Sequence, residues 1–497
     1  MTDYDVVLYP GRAQVNSHPR RSATLARLLG FDAALPSRCR VLELGCSNGL
    51  NLAAMAVALP ESEFVGVDLS KRSIALGREL LAEAGIRNVK LIDASFTELG
   101  AELGEFDYVI AHGLYSWLPA ESRDALLDTF RRFLSENGVG YVSYAVYPGC
   151  HLRELTRGMM LFHTREIEDP LEKVREGVRF VQFARQHGSA PDAFREVLDH
   201  ERSRFADADI EYVYHDDFSS ENSPVYFSGF VDHLRSRDLD FLSESTFSLL
   251  GDPSLSREAR RALAQLAGDD VVAREQYLDF FRGRAFRQSL ICRGRPKLSR
   301  EPVLDRVFSL EASTSLTPSE GLDRAACRDR EPRAFRSPRG AEITIAEPAL
   351  KVALSLLAEQ KPLSVPVSAL WDRTSAELPE EDRDHEGRAL FARALLQGAA
   401  IRAVELEIEA PRFAREPGER PIASPLARVQ ARSGIEITDL THRTHHIEDE
   451  RIRRVISLLD GRRTRAELAE AMDHDSLSSG DLEGVLRELG AEALLVE

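Results

Sequence analysis

The first 150 residues alternate short apolar runs with longer stretches in which apolar positions recur every three or four residues. This pattern predicts strands at 41–44, 64–68, 89–93, 106–111 and 140–146 and helices at 50–59, 71–84 and 120–134. The last helix is expected to end at an Asn137-Gly138 turn. Such alternation indicates an α/β fold with a parallel, doubly wound, Rossmann-like sheet, which binds ligands outside the carboxyl ends of its strands.

The pattern changes twice beyond residue 150. Mostly helical structure is predicted up to residue 300, with helices at 152–164, 171–187, 191–205, 226–235, 256–267 and 271–281. Residues 311–340 are rich in Pro, Ser and charge, and acids such as Asp329 and Glu331 interleave with the arginines. A solvated linker is therefore favoured there over a nucleic-acid clamp.

The final third of the chain contains two units of three short helices, each followed by a β-like segment. The predicted helices are 346–359, 367–374 and 387–398, then 452–459, 465–471 and 480–489, and the β-like segments are 401–408 and 494–496. Three helices with a trailing hairpin are typical of winged-helix modules. The candidate reading helix at 481–489 carries Asp481, Glu483 and Glu488 against Arg487, so protein binding is favoured over DNA binding.

Composition narrows the class of protein further. A chain of 497 residues is too long for one core, and a formal charge of −17 argues against general binding of nucleic acids or anionic membranes. The five cysteines are scattered without a CxxC pair, which favours reduced thiols in the cytoplasm over disulfides or zinc. The sequence shows neither a signal peptide nor an apolar run of eighteen residues, so no membrane insertion is expected.

The segment 41–51 is the strongest chemical signal. An apolar strand runs into a turn containing Gly45 and Gly49, and a second strand ends at Asp68, where a carboxylate can accept both ribose hydroxyls. A dinucleotide fingerprint requires a third glycine where Leu52 stands. Glu43 would repel a pyrophosphate, but it suits the cationic groups of S-adenosylmethionine. S-adenosylmethionine is therefore favoured over NAD as the cofactor.

Several longer motifs resemble a known family. They are His18-Pro19, Cys39-Arg-Val-Leu-Glu-Leu-Gly-Cys46, Phe106-Asp-Tyr-Val-Ile-Ala-His-Gly-Leu-Tyr-Ser-Trp-Leu-Pro119, Gly140-Tyr-Val-Ser-Tyr-x-Val-Tyr-Pro-Gly149 and Glu275-Gln-Tyr-Leu-x-Phe-x-x-x-Arg-x-Phe-Arg287. The chain resembles bacterial class I methyltransferases with a methyltransferase regulatory domain, a family that includes lysine methyltransferases acting on outer-membrane proteins. The resemblance covers roughly residues 15–295. The chain departs from it at Ser47 (often Gly), at Ala145 (often Asn) and at 11–15, where aromatic and Pro residues are missing.

The resemblance implies a division of the chain and a set of cofactor contacts. The expected parts are a class I methyltransferase domain at 1–165, a helical regulatory region at 166–310, a linker at 311–342 and winged-helix-like modules at 343–415 and 416–497. His18 is implied to cover the cofactor, with a helix cap as the alternative, and Asp93 is expected to accept the adenine amine. The expected cofactor-binding residues are His18, Glu43, Gly45, Cys46, Ser47, Gly49, Asn51, Asp68, Leu69, Asp93, Ala94, Ser95, His112 and Gly113.

Residues after the fourth and fifth strands are the candidates for chemistry. His112 either deprotonates the acceptor or holds the cofactor by a hydrogen bond. Tyr115 and Trp117 either form an aromatic wall around an alkylammonium group or pack in the core, and Tyr147 is a further candidate to line the site. No metal is expected, because His215-Asp216-Asp217 and the histidines at 442, 445 and 446 are interpreted as solvated polar stretches.

These observations support an S-adenosylmethionine-dependent methyltransferase acting on lysine side chains of a protein, the substrate resting on the resemblance alone. The alternatives are a small-molecule N- or O-methyltransferase and a non-catalytic regulatory protein that binds the cofactor. A protein substrate and a cytoplasmic location are expected, a homodimer is a further hypothesis, and a nucleic-acid partner is not favoured. The linker predicts that the cofactor site folds without the C-terminal modules.

Overall fold

A seven-stranded sheet in the order β3-β2-β1-β4-β5-β7-β6 forms the centre of the protein. The computed structural model describes residues 3–496 except 207, 248–254, 295, 297, 300, 320–326, 339 and 473–478. Neighbouring strands from β1 to β5 pair in parallel, whereas β7 pairs antiparallel with both β5 and β6. The strands are β1 Arg40–Leu44, β2 Glu63–Asp68, β3 Val89–Asp93, β4 Phe106–Ala111, β5 Leu134–Ala145, β6 Leu239–Glu244 and β7 Phe286–Arg293.

Helices cover both faces of this sheet. Val41 and Phe64 pack with α2 and α3 on one face, and Leu42 and Val65 pack with α5 and α10 on the other. A strand buried on both faces does not need to alternate apolar and polar residues, so these strands are mostly apolar, with the buried Glu43 of β1 as an exception. The helices are α1 Asp3–Val6, α2 Pro19–Leu28, α3 Leu50–Ala58, α4 Lys71–Ala84, α5 Ala120–Phe133, α6 Cys150–His163, α7 Pro170–His187, α8 Asp192–Ala206, α9 Ile210–Asp217, α10 Phe227–Ser236, α11 Arg257–Ala267, α12 Val271–Arg282 and α13 Leu304–Val307.

The prediction for the Asn137-Gly138 turn is wrong. Helix α5 already ends at Phe133, and Asn137-Gly138 lies inside β5. Leu134 pairs with Phe106 of β4, and the register then shifts so that Val139 pairs with Tyr108. β5 pairs with β4 both before and after the Asn-Gly pair. This pair therefore lies at a shift of register within one long strand.

The mostly helical prediction for 150–300 is right for its six helices but misses α9, β6 and β7. β6 is buried on both faces and yet contains Asp240, Ser243 and Glu244, so its sequence shows neither strict alternation nor an apolar run. Its buried acids are paired with arginines outside the strand, Asp240 with Arg235 of α10 and Glu244 with Arg287 of β7. The sheet is consequently mixed, and its antiparallel edge comes from the region in which the helices dominate.

A buried cluster of ions fastens this edge. The guanidinium of Arg287 on β7 donates to Asp279 at 2.9 Å, to Glu244 at 2.6 Å and to Glu275 at 3.2 Å. It also lies 4.0 Å above the ring of Phe227. The Arg287 side chain is wholly buried, so its charge must be balanced within the protein. The cluster thereby joins β6, β7 and α12.

The structure differs from the predicted linker. Ala312 and Phe335 are fully buried, in strands β8 and β10, and the buried Lys351 ammonium donates to the carbonyls of Asp329 and Glu331. Single apolar residues between charges gave no sign of this, because their partners are distant in the chain. The surrounding elements are β8 Glu311–Ser313, β9 Thr317–Pro318, β10 Arg333–Arg336, β11 Glu342–Ile345, α14 Pro348–Gln360, β12 Val365–Pro366, α15 Val367–Glu377, α16 His385–Ala400 and β13 Glu405–Glu407.

The last module packs directly on the first domain. Its hairpin precedes α18 instead of trailing the helices as predicted, and the predicted closing strand is one bridge between Ala423 and Leu495. Helix α17 contacts α3 and α4, and Arg432 pairs with Glu83 of α4 at 2.7 Å. The elements are α17 Pro425–Ser433, β14 Glu436–Thr438, β15 Thr444–His446, α18 Glu450–Leu458, α19 Arg465–Met472 and α20 Ser479–Ala491. The last module is thus in contact with the first domain, and the folding of the cofactor site without the C-terminal modules stays a prediction.

We predict that Arg287→Met lowers the free energy of unfolding by about 3–5 kcal/mol, since it leaves three buried carboxylates without their central cation. Urea denaturation of the full chain measures the effect. Arg260→Met, at an exposed position of α11, serves as the control and should change stability by less than about 0.5 kcal/mol. Equal stability of Arg287→Met and the wild type would show that the cluster does not hold the sheet edge.

Candidate functional site

A cavity of about 290 Å³ opens at the carboxyl ends of β1, β2 and β4. This volume lies near the lower end of the range of roughly 300–1,000 Å³ for small-molecule sites. The residues that line it are Tyr9, Gly45, Ser47, Val67, Asp68, Leu69, Ser70, Ser73, Ala94, Phe96, His112, Gly113, Leu114, Trp117, Leu118, His215, Asp216 and Phe286. The structure thus brings together seven of the fourteen predicted cofactor residues: Gly45, Ser47, Asp68, Leu69, Ala94, His112 and Gly113.

Asp68 connects the two loops at the floor of the cavity. One carboxylate oxygen accepts the backbone N–H of Ser47 at 2.7 Å, and the other accepts that of Ser70 at 2.8 Å. Burial raises the pKa of this carboxyl, and the two N–H groups oppose that rise by favouring the charged form. Each carboxylate oxygen retains a lone pair after accepting one hydrogen bond, so Asp68 can accept further donors from a ligand.

The loop between β1 and α3 is shaped by three residues with positive φ, namely Gly45, Ser47 and Gly49 at 72°, 50° and 69°. Only Ser47 carries a side chain in this left-handed region, which L residues other than Gly seldom adopt. Its hydroxyl donates to the carbonyl of Tyr9 at 2.9 Å. The N-terminal arm, residues 5–18, is thereby held over the loop.

Four other predicted cofactor residues, Glu43, Cys46, Gly49 and Asn51, do not line the cavity. Glu43 is 3 % exposed, and its Oε1 accepts from the Asn51 amide at 2.8 Å, while its Oε2 has no hydrogen-bond partner among the described residues. Burial raises the pKa of Glu43 to about 8, against the opposing effect of the Asn51 hydrogen bond. Cys46 is also buried, next to Gly66, and Gly49 is the N-cap of α3.

His18 has the capping role that was the alternative at the sequence level. It is the N-cap of α2, and its Nδ1 accepts the backbone N–H of Arg20 at 3.1 Å. The ring is 4 % exposed and lies 5.0 Å from the ring of His442 in the last module. Burial lowers the pKa of both imidazoles, that of His442 to about 3. His442 is therefore neutral and buried, not part of a solvated polar stretch.

The predicted adenine contacts are only partly brought to the cavity. Asp93 is exposed at the end of β3 and does not line the cavity. The N–H of Ala94 already donates to the carbonyl of Asp68, and that of Ser95 donates to Glu98 in a capping box. Ala94 and the neighbouring Phe96 line the cavity, so this part of the wall is apolar.

His112 is fixed by two hydroxyl groups. Its Nδ1 lies 3.1 Å from the Tyr141 hydroxyl and 3.2 Å from that of Ser143. The Ser143 hydroxyl oxygen also accepts the N–H of Gly113 at 2.7 Å. Burial lowers the pKa of His112 to about 4, so the imidazole is neutral near pH 7. A group with this pKa is a weak base for an alkylammonium ion, whose ordinary pKa is about 10.

The three aromatic candidates have different positions. Trp117 lines the cavity. Tyr115 does not, because its ring is buried against Phe230 and its hydroxyl lies 2.8 Å from His233. The Tyr147 ring likewise lies outside the cavity and stacks on His151 at 4.1 Å.

Ten of the cavity residues were not among the predicted ones, and four of these lie outside the segment from β1 to α5: Tyr9, His215, Asp216 and Phe286. Tyr9 comes from the N-terminal arm, and Phe286 begins β7. His215 and Asp216 belong to α9, so this cluster is not a solvated linker; the neighbouring Asp217 is buried and paired with Arg204 at 2.9 Å. Burial raises the pKa of Asp216. In the sequence, only the resemblance of the segment 275–287 to a regulatory region drew attention to the part of the chain that contains Phe286.

Among the described residues, no group of three or more His, Cys, Asp and Glu side chains is arranged to hold a metal ion. His445 instead bonds Asp439 at 2.8 Å, and His446 is exposed. A search of the same residues finds no helix long and apolar enough to cross a membrane.

Comparisons with known proteins agree with this architecture. Family models match three segments: a methyltransferase domain at 41–138, a predicted methyltransferase regulatory domain at 209–293 and a PKMT C-terminal winged helix domain at 419–483. An uncharacterised protein of Rickettsia prowazekii is 33 % identical over 323 residues, 64 % of this chain and 58 % of the relative. The match thus spans less than two thirds of that relative's length.

The structure of PKMT2 from Rickettsia typhi shares the fold, with a TM-score of 0.85 and 23 % identity over 98 % of this chain and 100 % of that one. A second structure of PKMT2, in complex with AdoHcy, aligns with a TM-score of 0.82. These matches confirm the resemblance found in the sequence. The chain therefore contains a class I S-adenosylmethionine-dependent methyltransferase domain, followed by segments that match a methyltransferase regulatory domain and a PKMT C-terminal winged helix domain.

Proposed function

We propose that the protein transfers a methyl group from S-adenosylmethionine to the side-chain amine of a lysine in a protein substrate. The observation that carries the proposal is the composition of the cavity lining: the acid Asp216, which also pairs with Arg153 at 3.4 Å, lines the same cavity as Trp117, Phe286 and Asp68. An acid and aromatic faces are groups that attract an alkylammonium ion. The fold of PKMT2, a protein lysine methyltransferase of Rickettsia, supports the same substrate class.

The residues present fit the cofactor. Asp68 at the end of β2 retains lone pairs for ribose hydroxyls, and the same cavity is lined by the apolar side chains of Leu69, next to Asp68, and Phe96, after β3. Gly45 at φ 72° allows the backbone to approach a ligand closely. Bound S-adenosylmethionine would supply a methyl group that its sulfonium already activates for displacement. The protein therefore has to position the acceptor and exclude water.

Trp117, Leu118 and Phe286 provide an apolar part of the cavity wall for the acceptor chain. A lysine that enters it loses hydration, which lowers the pKa of its ammonium and favours the neutral nucleophile. Asp216 faces the same cavity from α9, so it can orient the amine through a hydrogen bond. His112, with its lowered pKa, is proposed to fix the hydrogen-bond geometry of the wall and not to remove the proton.

A protein substrate is preferred to a nucleic acid. Helix α20, which would be the DNA-reading helix of the last module, carries Asp481, Glu483 and Glu488 against Arg487. Such a helix repels phosphates. The scattered cysteines, which have no disulfide or metal spacing in the sequence, keep a cytoplasmic location within the proposal.

For the cofactor, Asp68→Asn is expected to weaken binding of S-adenosylhomocysteine about 10- to 100-fold, because one charge-assisted acceptor is lost. Titration calorimetry measures the affinity. Glu63→Gln, at the exposed start of the same strand, should bind like the wild type. Unchanged affinity of Asp68→Asn would remove Asp68 from the cofactor site.

For the acceptor, Asp216→Asn should raise the KM for a protein substrate about tenfold while the affinity for S-adenosylhomocysteine stays within about twofold, since the charge that attracts the ammonium is lost. The substrate would first be identified by mass spectrometry of a lysate treated with enzyme and labelled cofactor. Glu211→Gln on the same helix is the control. A methyl group found only on hydroxyl or carboxyl acceptors would refute the lysine assignment.

The pH dependence tests the role of His112. Its pKa of about 4 leaves it neutral from pH 6 to 9, so kcat/KM should follow the neutral fraction of the acceptor amine and rise about tenfold per pH unit. His112→Asn should lower the rate without changing this slope. A wild-type inflection between pH 6 and 7 that disappears in His112→Asn would identify His112 as the base instead.

A further inference from the structure

The side chain of Asn51, in the first turn of α3, joins three parts of the chain. Its Oδ1 receives the backbone N–H of Gln14 at 2.8 Å and lies 2.8 Å from Nε2 of His442. Its Nδ2 donates to Glu43 at 2.8 Å and to the Ser17 hydroxyl at 3.2 Å. An amide side chain can make four such hydrogen bonds, so Asn51 is fully used.

These partners fix the direction of each hydrogen bond. Nδ2 faces the carboxylate of Glu43, and Oδ1 faces the backbone N–H of Gln14, so the amide cannot be turned around. Nε2 of His442 must therefore carry the proton and donate to Asn51. The imidazole can do this as a neutral ring, in agreement with its buried position.

The Asn51–Glu43 hydrogen bond joins the two ends of the loop between β1 and α3, residues 45–49, which is called the cofactor loop below. The two residues are eight positions apart and flank the glycine turn, Glu43 before it and Asn51 after it. Within the turn, the N–H of Gly49 donates to the carbonyl of Cys46. A rotation of the Asn51 side chain would thus release Glu43 and allow the two ends of the loop to separate.

A rigid turn presents His442 to this position. One carboxylate oxygen of Asp439 accepts the N–H groups of Thr441 and Arg443, at 2.8 and 2.9 Å, and His442 between them has a φ of 70°. The module that contains the turn is held on the first domain by the pair of Arg12 and Glu436 at 2.7 Å. The His442 ring is therefore held within hydrogen-bond distance of the Asn51 amide.

We propose that His442 is a positioning residue of the cofactor site. Through His442, the last module, residues 416–497, sets the affinity of the cavity for the cofactor. This inference rests on the proposed function in that the cavity binds S-adenosylmethionine. Because His442, Asn51 and Glu43 are all at most 5 % exposed, water cannot replace a lost donor without opening the interface. A substrate or partner that moves the module is thus coupled to cofactor binding by the same contact.

Three substitutions at position 442 in the full chain separate this role from simple packing. His442→Gln keeps an N–H donor of similar reach, whereas His442→Leu fills the space without a donor. Both replace His at the same positive φ, so they share the same backbone strain. His442→Asn suits that backbone better, but its shorter side chain does not reach Asn51, so it gives a second uncoupled variant should His442→Leu fail to fold.

Calorimetry with S-adenosylhomocysteine should show affinity about tenfold weaker for His442→Leu and His442→Asn, and within about threefold of the wild type for His442→Gln. The KM for the cofactor should rise in the first two, with that for the acceptor unchanged. In an Asn51→Leu background, His442→Leu should add nothing, since the contact is already lost. His446→Leu, at an exposed position of the same hairpin, is the control.

Wild-type affinity in folded His442→Leu or His442→Asn, or equally weak binding by His442→Gln, would overturn the role of His442. Failure of the wild type itself to bind S-adenosylhomocysteine would instead refute the proposed function, so the two outcomes are distinguishable.

Discussion

The antiparallel pairing of β7 with β5 is the constraint on which the arrangement of the cavity depends. β5 would otherwise present an unpaired edge, and β7 covers it over seven residue pairs. In antiparallel pairing the start of one strand lies opposite the end of the other, so Phe286 lies beside Ala145 at the ligand-binding edge of the sheet. Arg287 follows with its side chain on the opposite face, where the buried acids hold it. One strand thus supplies both a cavity wall and its anchor.

The N-terminal arm is the second place at which separate parts of the chain meet. Arg12 pairs with Asp209 of the regulatory segment and with Glu436 of the last module, both at 2.7 Å. The Tyr212 hydroxyl donates to the carbonyl of Pro10 at 3.1 Å. Tyr9 of this arm lines the cavity, and its carbonyl accepts a hydrogen bond from Ser47, so the regulatory segment and the last module both contact the site through the arm. The surroundings of the site are therefore built from the first domain, the regulatory segment and the last module together.

The sequence predicted the elements whose formation depends on residues close together in the chain. The five parallel strands, six helices of the middle region and Asp68 at the end of β2 follow from apolar periodicity and from one loop motif. β6 was not predicted because its buried acids Asp240 and Glu244 are neutralised by Arg235 and Arg287, which lie outside the strand. The sequence of the strand alone does not indicate that these acids are buried. Tyr147 was expected in the site because it follows β5, but its N–H bonds Val225 and its hydroxyl bonds Glu154, which turn it away. Tyr9, Asp216 and His442 reach the site only through tertiary packing, which one sequence without a structure does not reveal.

The Asn51–His442 contact has a consequence for biosynthesis. The two residues are 391 positions apart, so at about 5–20 residues per second the ribosome makes His442 roughly 20–80 s after Asn51. Every residue that lines the cavity has been made by Phe286, well before that moment. An interrupted chain that ends before His442 contains the complete cavity lining but not the donor that steadies its loop. The order of translation thus makes the Asn51–His442 contact the last one to form around the site.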